Sequence, residues 1–193
     1  RGGDGGDGGA GGGSVGIAYV VSQTENSVSV ISNAGDPGSP GLTDGTGGTG
    51  GTGGTAGAGR VTATIAVGNA PYGVALNPAG TRAYVTNSND DTVSVIDPAA
   101  NTDIATIPVG DLPHGVVVNP VADRAYVTNT FSGSVSVINT DKDNVLDTVD
   151  IGAVSLPTGI AVDPAGGYIY VANSNDDAVS VIKTSTYLLI ATI

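Results

Sequence analysis

The sequence predicts an all-β protein, and three observations support that fold class. A segment at residues 82–97 recurs in near copies at 124–139 and 168–183, with a weaker copy at 17–32. Val, Thr and Ile are abundant, whereas the chain has one Glu, two Lys and no Met, so strong helix formers are scarce. Asn and Asp cluster between the apolar runs of the copies, as turns require. We therefore expect short strands and almost no helix.

The spacing of the copies predicts a particular all-β architecture. The three regular copies begin at residues 82, 124 and 168, so they lie 42 and 44 residues apart. A period of about 40 to 45 residues is typical of β-propeller blades, which are four-stranded sheets that bury their faces against neighbouring sheets. Two flanking elements also recur, so each unit has four strand candidates. The upstream elements are 71–78, 113–120 and 157–164, and the others are 62–68, 103–110, 145–152 and 188–193.

The side-chain pattern within a copy agrees with stacked sheets. In the run 92–96, Val93 and Val95 share one face of the strand, while Ser94 and Ile96 share the other. Both faces carry apolar groups, as a sheet between two neighbours requires. Asn and Asp tolerate left-handed backbone, so we interpret 89–91 and 175–177 as turns in preference to ligand sites.

The chain divides into four segments by composition. Residues 1–13 and 33–59 are glycine-rich, low-complexity tracts that cannot bury enough apolar surface to fold. Residues 14–32 supply two strands joined near Thr24–Asn26, which make a partial blade, and 60–193 hold the regular repeats. The expected structure is thus an arc of about three and a half four-stranded blades. Such an arc cannot close alone, so we expect either self-association or further blades from a longer chain.

Two resemblances follow from these residues. The Tyr-Val-Thr-Asn runs at 84–87 and 126–129, with their Pro-x-Gly-Val and Val-Ser-Val-Ile partners, resemble the YVTN-type β-propeller repeat family. That family is similar to surface-layer propellers and propeller lactonases, and the resemblance implies a seven-bladed ring. The third regular copy differs from this motif, with Tyr-Val-Ala-Asn at 170–173, and the weaker first copy has Tyr-Val-Val-Ser at 19–22. The tract 1–13 resembles the glycine-rich repeats of mycobacterial PE-PGRS proteins, which implies a cell-envelope or secreted location.

Charge and composition exclude several classes of function. The formal net charge is -12, whereas a nucleic-acid-binding face must be basic. The chain has no Cys, which excludes disulfides, thiolate chemistry and cysteine metal sites. No apolar run approaches the roughly 18 residues of a membrane-spanning helix. The chain begins at Arg1 without a signal peptide, so we expect a fragment or a processed product.

Three short strings imitate catalytic or binding motifs but lack the context that those motifs need. Residues 45–50 match a dinucleotide fingerprint, and 12–16 match a nucleophile elbow, but neither lies between a strand and a helix. Residues 141–144 begin like a calcium loop, yet Leu146 and Gly152 occupy its required Gly and Glu positions. The sequence therefore predicts no catalytic residue, no metal site and no cofactor.

The candidate ligand site rests on the only histidine, His114, which lies in a Pro-x-Gly element. Tyr72 and Thr158 occupy the same position in the neighbouring units. In the family that the repeats resemble, this element leads into the innermost strand, so the three side chains would line one mouth of the central channel. Each residue alone is better explained as a solvated rim residue, and only the three together predict a ligand-binding site.

Two functions remain open from the sequence. The first is a non-catalytic surface or envelope propeller that binds an unknown protein or small molecule, without nucleic acid or a membrane span. The second is a hydrolase similar to the propeller lactonases, in which His114 and a nearby carboxylate such as Asp111 would polarise water or substrate. A redox role is weaker, because His114 is the only histidine available as a haem ligand.

Overall fold

The computed structural model describes residues 17–32 and 60–193, and in these ranges it has fifteen strands and no helix. The glycine-rich tracts 1–13 and 33–59, with the two motif-like strings that they contain or adjoin, lie outside the described residues. The all-β prediction is confirmed. The strands are β1 (Ile17–Ser22), β2 (Ser27–Ser32), β3 (Arg60–Ala66), β4 (Pro71–Leu76), β5 (Ala83–Asn87), β6 (Thr92–Asp97), β7 (Thr102–Pro108), β8 (Pro113–Val118), β9 (Arg124–Asn129), β10 (Ser134–Asn139), β11 (Asn144–Asp150), β12 (Pro157–Val162), β13 (Tyr168–Asn173), β14 (Ala178–Lys183) and β15 (Leu188–Thr192).

The strands form four antiparallel sheets in chain order. The second, third and fourth sheets are β4-β5-β6-β7, β8-β9-β10-β11 and β12-β13-β14-β15. The first sheet has three strands, β1-β2-β3, because β3 pairs with β2 across the 33–59 insertion. Each Pro-x-Gly element begins the first strand of a four-stranded sheet, as the repeat pattern predicted. The predicted arc of β-propeller blades is therefore confirmed in this part of the chain.

The turns follow the predicted chemistry. Asp91 and Asp177 end the turns that join the second and third strands of their sheets, and both have left-handed backbone, with φ of 57° and 49°. Asp and Asn adopt this conformation more readily than most residues do. Residues 141–143, the start of the calcium-loop string, form the turn between β10 and β11.

The core lies between the sheets, in three clusters of apolar side chains. Val93 and Val95 pack in the cluster between the second and third sheets, whereas Ile96 packs in the cluster between the first and second. All three side chains are fully buried. The two faces of one strand therefore serve two different junctions, as the alternation in residues 92–96 predicted.

The threonine of the Tyr-Val-Thr-Asn run joins adjacent sheets. The Thr86 hydroxyl donates to the carbonyl oxygen of His114 at 2.7 Å and accepts from the Gly73 N–H at 2.8 Å. Thr128 repeats this arrangement, with 2.8 Å to the Thr158 carbonyl and 2.8 Å from the Gly115 N–H. Each hydroxyl thus fixes the first strand of its own sheet against the first strand of the next.

A second set of contacts joins the sheets at the opposite end of the strands. Arg82 forms an ion pair with Asp143 of the third sheet at 3.4 Å. Arg124, which occupies the same position one unit later, donates from Nε to the hydroxyl of Tyr187 at 3.0 Å. Adjacent sheets are therefore bound at both ends of their strands as well as through the core.

Candidate functional site

The candidate site is formed by the first strands of three consecutive sheets, which lie side by side. Strand β8 contacts both β4 and β12. Tyr72, His114 and Thr158 are the second residues of these strands, so the repeat brings them to one level. We call this group of residues and the pocket between them the channel site.

Two of the three side chains form an aromatic stack. The rings of Tyr72 and His114 are nearly parallel, with an interplanar angle of 5° and centroids 4.1 Å apart. Tyr72 is 49% exposed, whereas His114 is half-buried. The stack therefore leaves aromatic surface open to a ligand.

Thr158 lines the same pocket, which has a volume of about 430 Å³. The remaining lining comes from Val74, Val116, Ile160 and the glycines that follow the three site residues. No described residue forms a hydrogen bond with the Thr158 hydroxyl. The pocket thus combines an aromatic wall, an aliphatic floor and a free hydroxyl, a composition usual for small-molecule sites.

Burial favours the neutral form of the His114 imidazole. Burial lowers its pKa below the ordinary value, because desolvation disfavours the charged ring. Its Nδ1 is buried and has no hydrogen-bond partner among the described residues. Asp111, the carboxylate that the sequence offered as its catalytic neighbour, is exposed and forms no hydrogen bond or ion pair with it. A histidine that acts as a general base is normally oriented by such a partner.

The glycines of the Pro-x-Gly elements allow the close approach of the strands. A Cβ atom on Gly73 would lie 2.6 Å from the His114 carbonyl oxygen, and one on Gly115 would lie 2.5 Å from that of Thr158. Gly159 is different, since its nearest contact would be Ala172 Cβ at 3.7 Å. Among the described residues, close packing therefore requires glycine at 73 and 115 but not at 159.

Sequence reasoning predicted three residues that line this pocket but missed the residues that position them. Thr86 and Thr128 donate hydrogen bonds to the main-chain carbonyls of His114 and Thr158. These bonds fix the backbone from which the two side chains project. The available signal was the recurrence of a threonine inside a strand, in constant register with the Pro-x-Gly element of the next unit.

The described residues 17–32 and 60–193 supply neither a metal cluster nor a membrane helix. No group of three or more His, Asp or Glu side chains there could hold a metal ion. No helix in these ranges has the length and apolar character that crossing a membrane requires.

Comparison with known families agrees with the architecture. Stacked four-stranded sheets with their first strands side by side define the β-propeller class. A family model described as "YNCE-like beta-propeller" matches residues 55–156, which is more than half of the chain. The chain belongs to the YNCE-like β-propeller family.

One curated relative matches a short part of the chain. The PE-PGRS family protein PE_PGRS18 of Mycobacterium tuberculosis (strain ATCC 25618 / H37Rv) is 58% identical over 41 residues. The match covers 21% of this chain and 9% of that protein. The predicted resemblance to PE-PGRS proteins is thus confirmed over a short region.

Solved structures share the fold over nearly the whole chain. Hydrazine synthase of Kuenenia stuttgartiensis matches with a TM-score of 0.72 and 22% identity, over 91% of this chain and 45% of that one. A functionally unknown protein from Desulfotomaculum acetoxidans DSM 771 matches with a TM-score of 0.67 and 14% identity, over 92% and 54%. The chain therefore spans about half the length of these structures. At such identities the likeness shows the fold alone.

Proposed function

We propose that this propeller is a non-catalytic binding scaffold, and that the channel site holds a small ligand with a planar ring. The observation that carries the proposal is the parallel stack of Tyr72 on His114 at the wall of the pocket. Aromatic rings offer large, rigid contact area and favour stacked partners, with a gain of about 0.5–1.5 kcal/mol per pair beyond simple burial.

The third position of the channel site favours the same class of ligand. Tyr72 and His114 carry rings, whereas Thr158 has a short side chain at the equivalent place. The face of His114 toward the fourth sheet therefore has no protein ring to stack on. A planar ligand would supply that ring and could form a hydrogen bond with the Thr158 hydroxyl.

The experiment is a binding screen with planar aromatic and heteroaromatic compounds, measured by calorimetry on the chain 1–193. We expect Tyr72→Ala and Thr158→Val each to weaken a hit, because the first removes the stack and the second removes the hydroxyl. Phe131→Ala is the matched control, since Phe131 is a 65% exposed aromatic residue outside the pocket. Hits that bind Tyr72→Ala as tightly as the parent chain would contradict the proposal.

Hydrolysis of lactones is the second candidate, and the observation that favours it is the position of His114 in an open pocket, where burial lowers the pKa of the ring. The missing carboxylate partner argues against it. The test is hydrolysis of a lactone panel by the parent chain and by His114→Ala. No activity above buffer in the parent chain would end this candidate and leave the binding proposal intact.

We also propose a cell-envelope or secreted location. Its support is the short match to a PE-PGRS protein and the acidic, cysteine-free composition. Fractionation of the source organism, followed by immunodetection, would test it. Recovery in the cytosol alone would contradict the proposal.

A further inference from the structure

The two ends of the strands differ in charge, and the channel site lies at one of them. Because the sheets are antiparallel, one end of each four-stranded sheet holds the start of its first and third strands and the end of its second and fourth. Tyr72, His114 and Thr158 are the second residues of the first strands. The turns that lie at the same end as the channel site are therefore those between second and third strands and those between consecutive sheets.

These turns carry carboxylates but, among the described residues, no Lys or Arg. The carboxylates in the turns all belong to exposed side chains, and they are those of Glu25, Asp90, Asp91, Asp111, Asp176 and Asp177. We call this end of the strands the acidic end. Because no basic side chain offsets these charges at the same end, they add up to a negative potential around the channel site.

The described Lys and Arg residues all lie at the opposite end, either in turns or at the ends of strands. They are Arg60, Arg82, Arg124, Lys142 and Lys183. Carboxylates accompany them there, as Asp143 does in its ion pair with Arg82. Within the described ranges, positive charge is thus absent from the end that holds the channel site.

The aromatic wall of the channel site favours the same sign of ligand charge at short range. The Tyr72 ring is 49% exposed and is backed by the His114 ring, with the ring centroids 4.1 Å apart. The face of an aromatic ring is the negative part of its quadrupole, so it attracts a cation placed over it. Burial favours the neutral form of His114, so the stack itself adds little positive charge to the pocket wall.

We propose that the ligand of the channel site is a planar aromatic cation, in preference to a neutral or anionic ring. This inference rests on the proposed function, because it assigns a charge to the planar ligand for which the channel site is suited. Two separate features of the structure support it, the open aromatic stack at short range and the acidic end at long range. A cleft surrounded by charge of one sign raises the local concentration of ligands of the opposite sign.

The test uses three bicyclic probes of similar size that differ in charge, which are the cation N-methylquinolinium, the neutral N-methylquinolone and the anion quinaldate. Their binding to the chain 1–193 is measured by calorimetry. At about 10 mM salt, we expect the cation to bind about 3- to 30-fold more tightly than the neutral probe, and the anion to bind least tightly. At about 100 mM salt the affinity of the cation should fall, because the screening length shortens from about 30 Å to about 10 Å.

Two double variants separate the charge of the acidic end from the total charge of the chain. Asp111→Asn with Asp176→Asn neutralises two exposed carboxylates at the acidic end, and neither carboxylate forms a hydrogen bond with a described residue. Asp123→Asn with Asp141→Asn neutralises two exposed carboxylates at the opposite end, so it is the matched control. We expect the first variant to weaken binding of the cation about two- to fivefold at low salt, and the control to leave it unchanged. Neither variant should alter binding of the neutral probe.

Phe131 is a 65% exposed aromatic residue at the acidic end but outside the pocket, so Phe131→Ala should leave the affinity of the cation unchanged. Equal affinity for the cationic and neutral probes, tighter binding of the anion, or equal effects of the two double variants would overturn the inference and leave the planar ligand of the proposed function intact. A cation that loses its affinity in Phe131→Ala would also overturn it, because the cation would then bind elsewhere. If none of the three probes binds, the channel site itself is contradicted, and this inference with it.

Discussion

Substitution of alanine for the glycines of two neighbouring Pro-x-Gly elements should change the stability of the fold in opposite directions. Gly115→Ala places a Cβ 2.5 Å from the Thr158 carbonyl oxygen and 2.9 Å from Ile160 Cγ2, and both atoms belong to the next sheet. Gly159→Ala meets nothing closer than Ala172 Cβ at 3.7 Å, because none of the described sheets packs against this side of β12. Neither glycine has a positive φ, so alanine brings no backbone strain at either position.

The expected changes in the free energy of unfolding differ in sign. Overpacking of a closed junction costs about 1–3 kcal/mol, and the Thr158 carbonyl of Gly115→Ala cannot move without losing its bond from Thr128. Gly159→Ala should instead be neutral or stabilise the fold by about 0.4–1 kcal/mol, since alanine restricts the unfolded chain. Urea unfolding of both variants measures the two free energies. Equal changes in the free energy of unfolding would refute the reasoning from inter-sheet distance.

Two further predictions concern residues that join the sheets. Thr128→Val should destabilise the fold by about 1–2 kcal/mol in urea unfolding, because the half-buried Gly115 N–H and Thr158 carbonyl lose their partner, whereas Ala172→Thr should change stability by less than about 0.5 kcal/mol. Burial, followed by the negative charge of Asp143, raises the pKa of Tyr84 to about 12. Because the pKa of Tyr84 is higher in the folded state, the stability that its protonated form contributes is complete below the unfolded pKa near 10 and is lost as pH rises toward 12. Tyr84→Phe should therefore lessen the fall in melting temperature across that window. An identical alkaline profile in the two proteins would contradict the assignment to Tyr84.

The fold could be predicted from the sequence because its information is local and repeated. Strand alternation in residues 92–96 assigned Val93 and Ile96 to opposite junctions, and both are buried there. The Asn-Asp turns could be predicted from the backbone preferences of Asn and Asp alone. The return of β3 to the first sheet was harder to predict, because pairing across the 33–59 insertion joins segments that are distant in the chain.

The sequence could predict that three equivalent side chains lie together, but not how they pack. Equivalent repeat positions placed Tyr72, His114 and Thr158 at one level, since consecutive units present the same register. The stacking of two rings 4.1 Å apart depends on how closely β4 approaches β8. That distance is set by Gly73 and by the Thr86 hydroxyl, two contacts between sheets that no pattern within a single strand reveals.

The structure separates the atoms that hold the arc together from the side chains that line the channel site. Thr86 and Thr128 bind the main-chain carbonyls of His114 and Thr158, and a carbonyl is present whatever side chain that residue carries. The residue between Pro and Gly is therefore free to be tyrosine, histidine or threonine without loss of an inter-sheet hydrogen bond. Because the pocket wall is made of these variable side chains, its chemistry can change from unit to unit while the spacing of the strands stays fixed. In the second and third sheets, therefore, the threonine and glycine fix the spacing of the first strands, and one variable position per sheet decides which side chain lines the channel site.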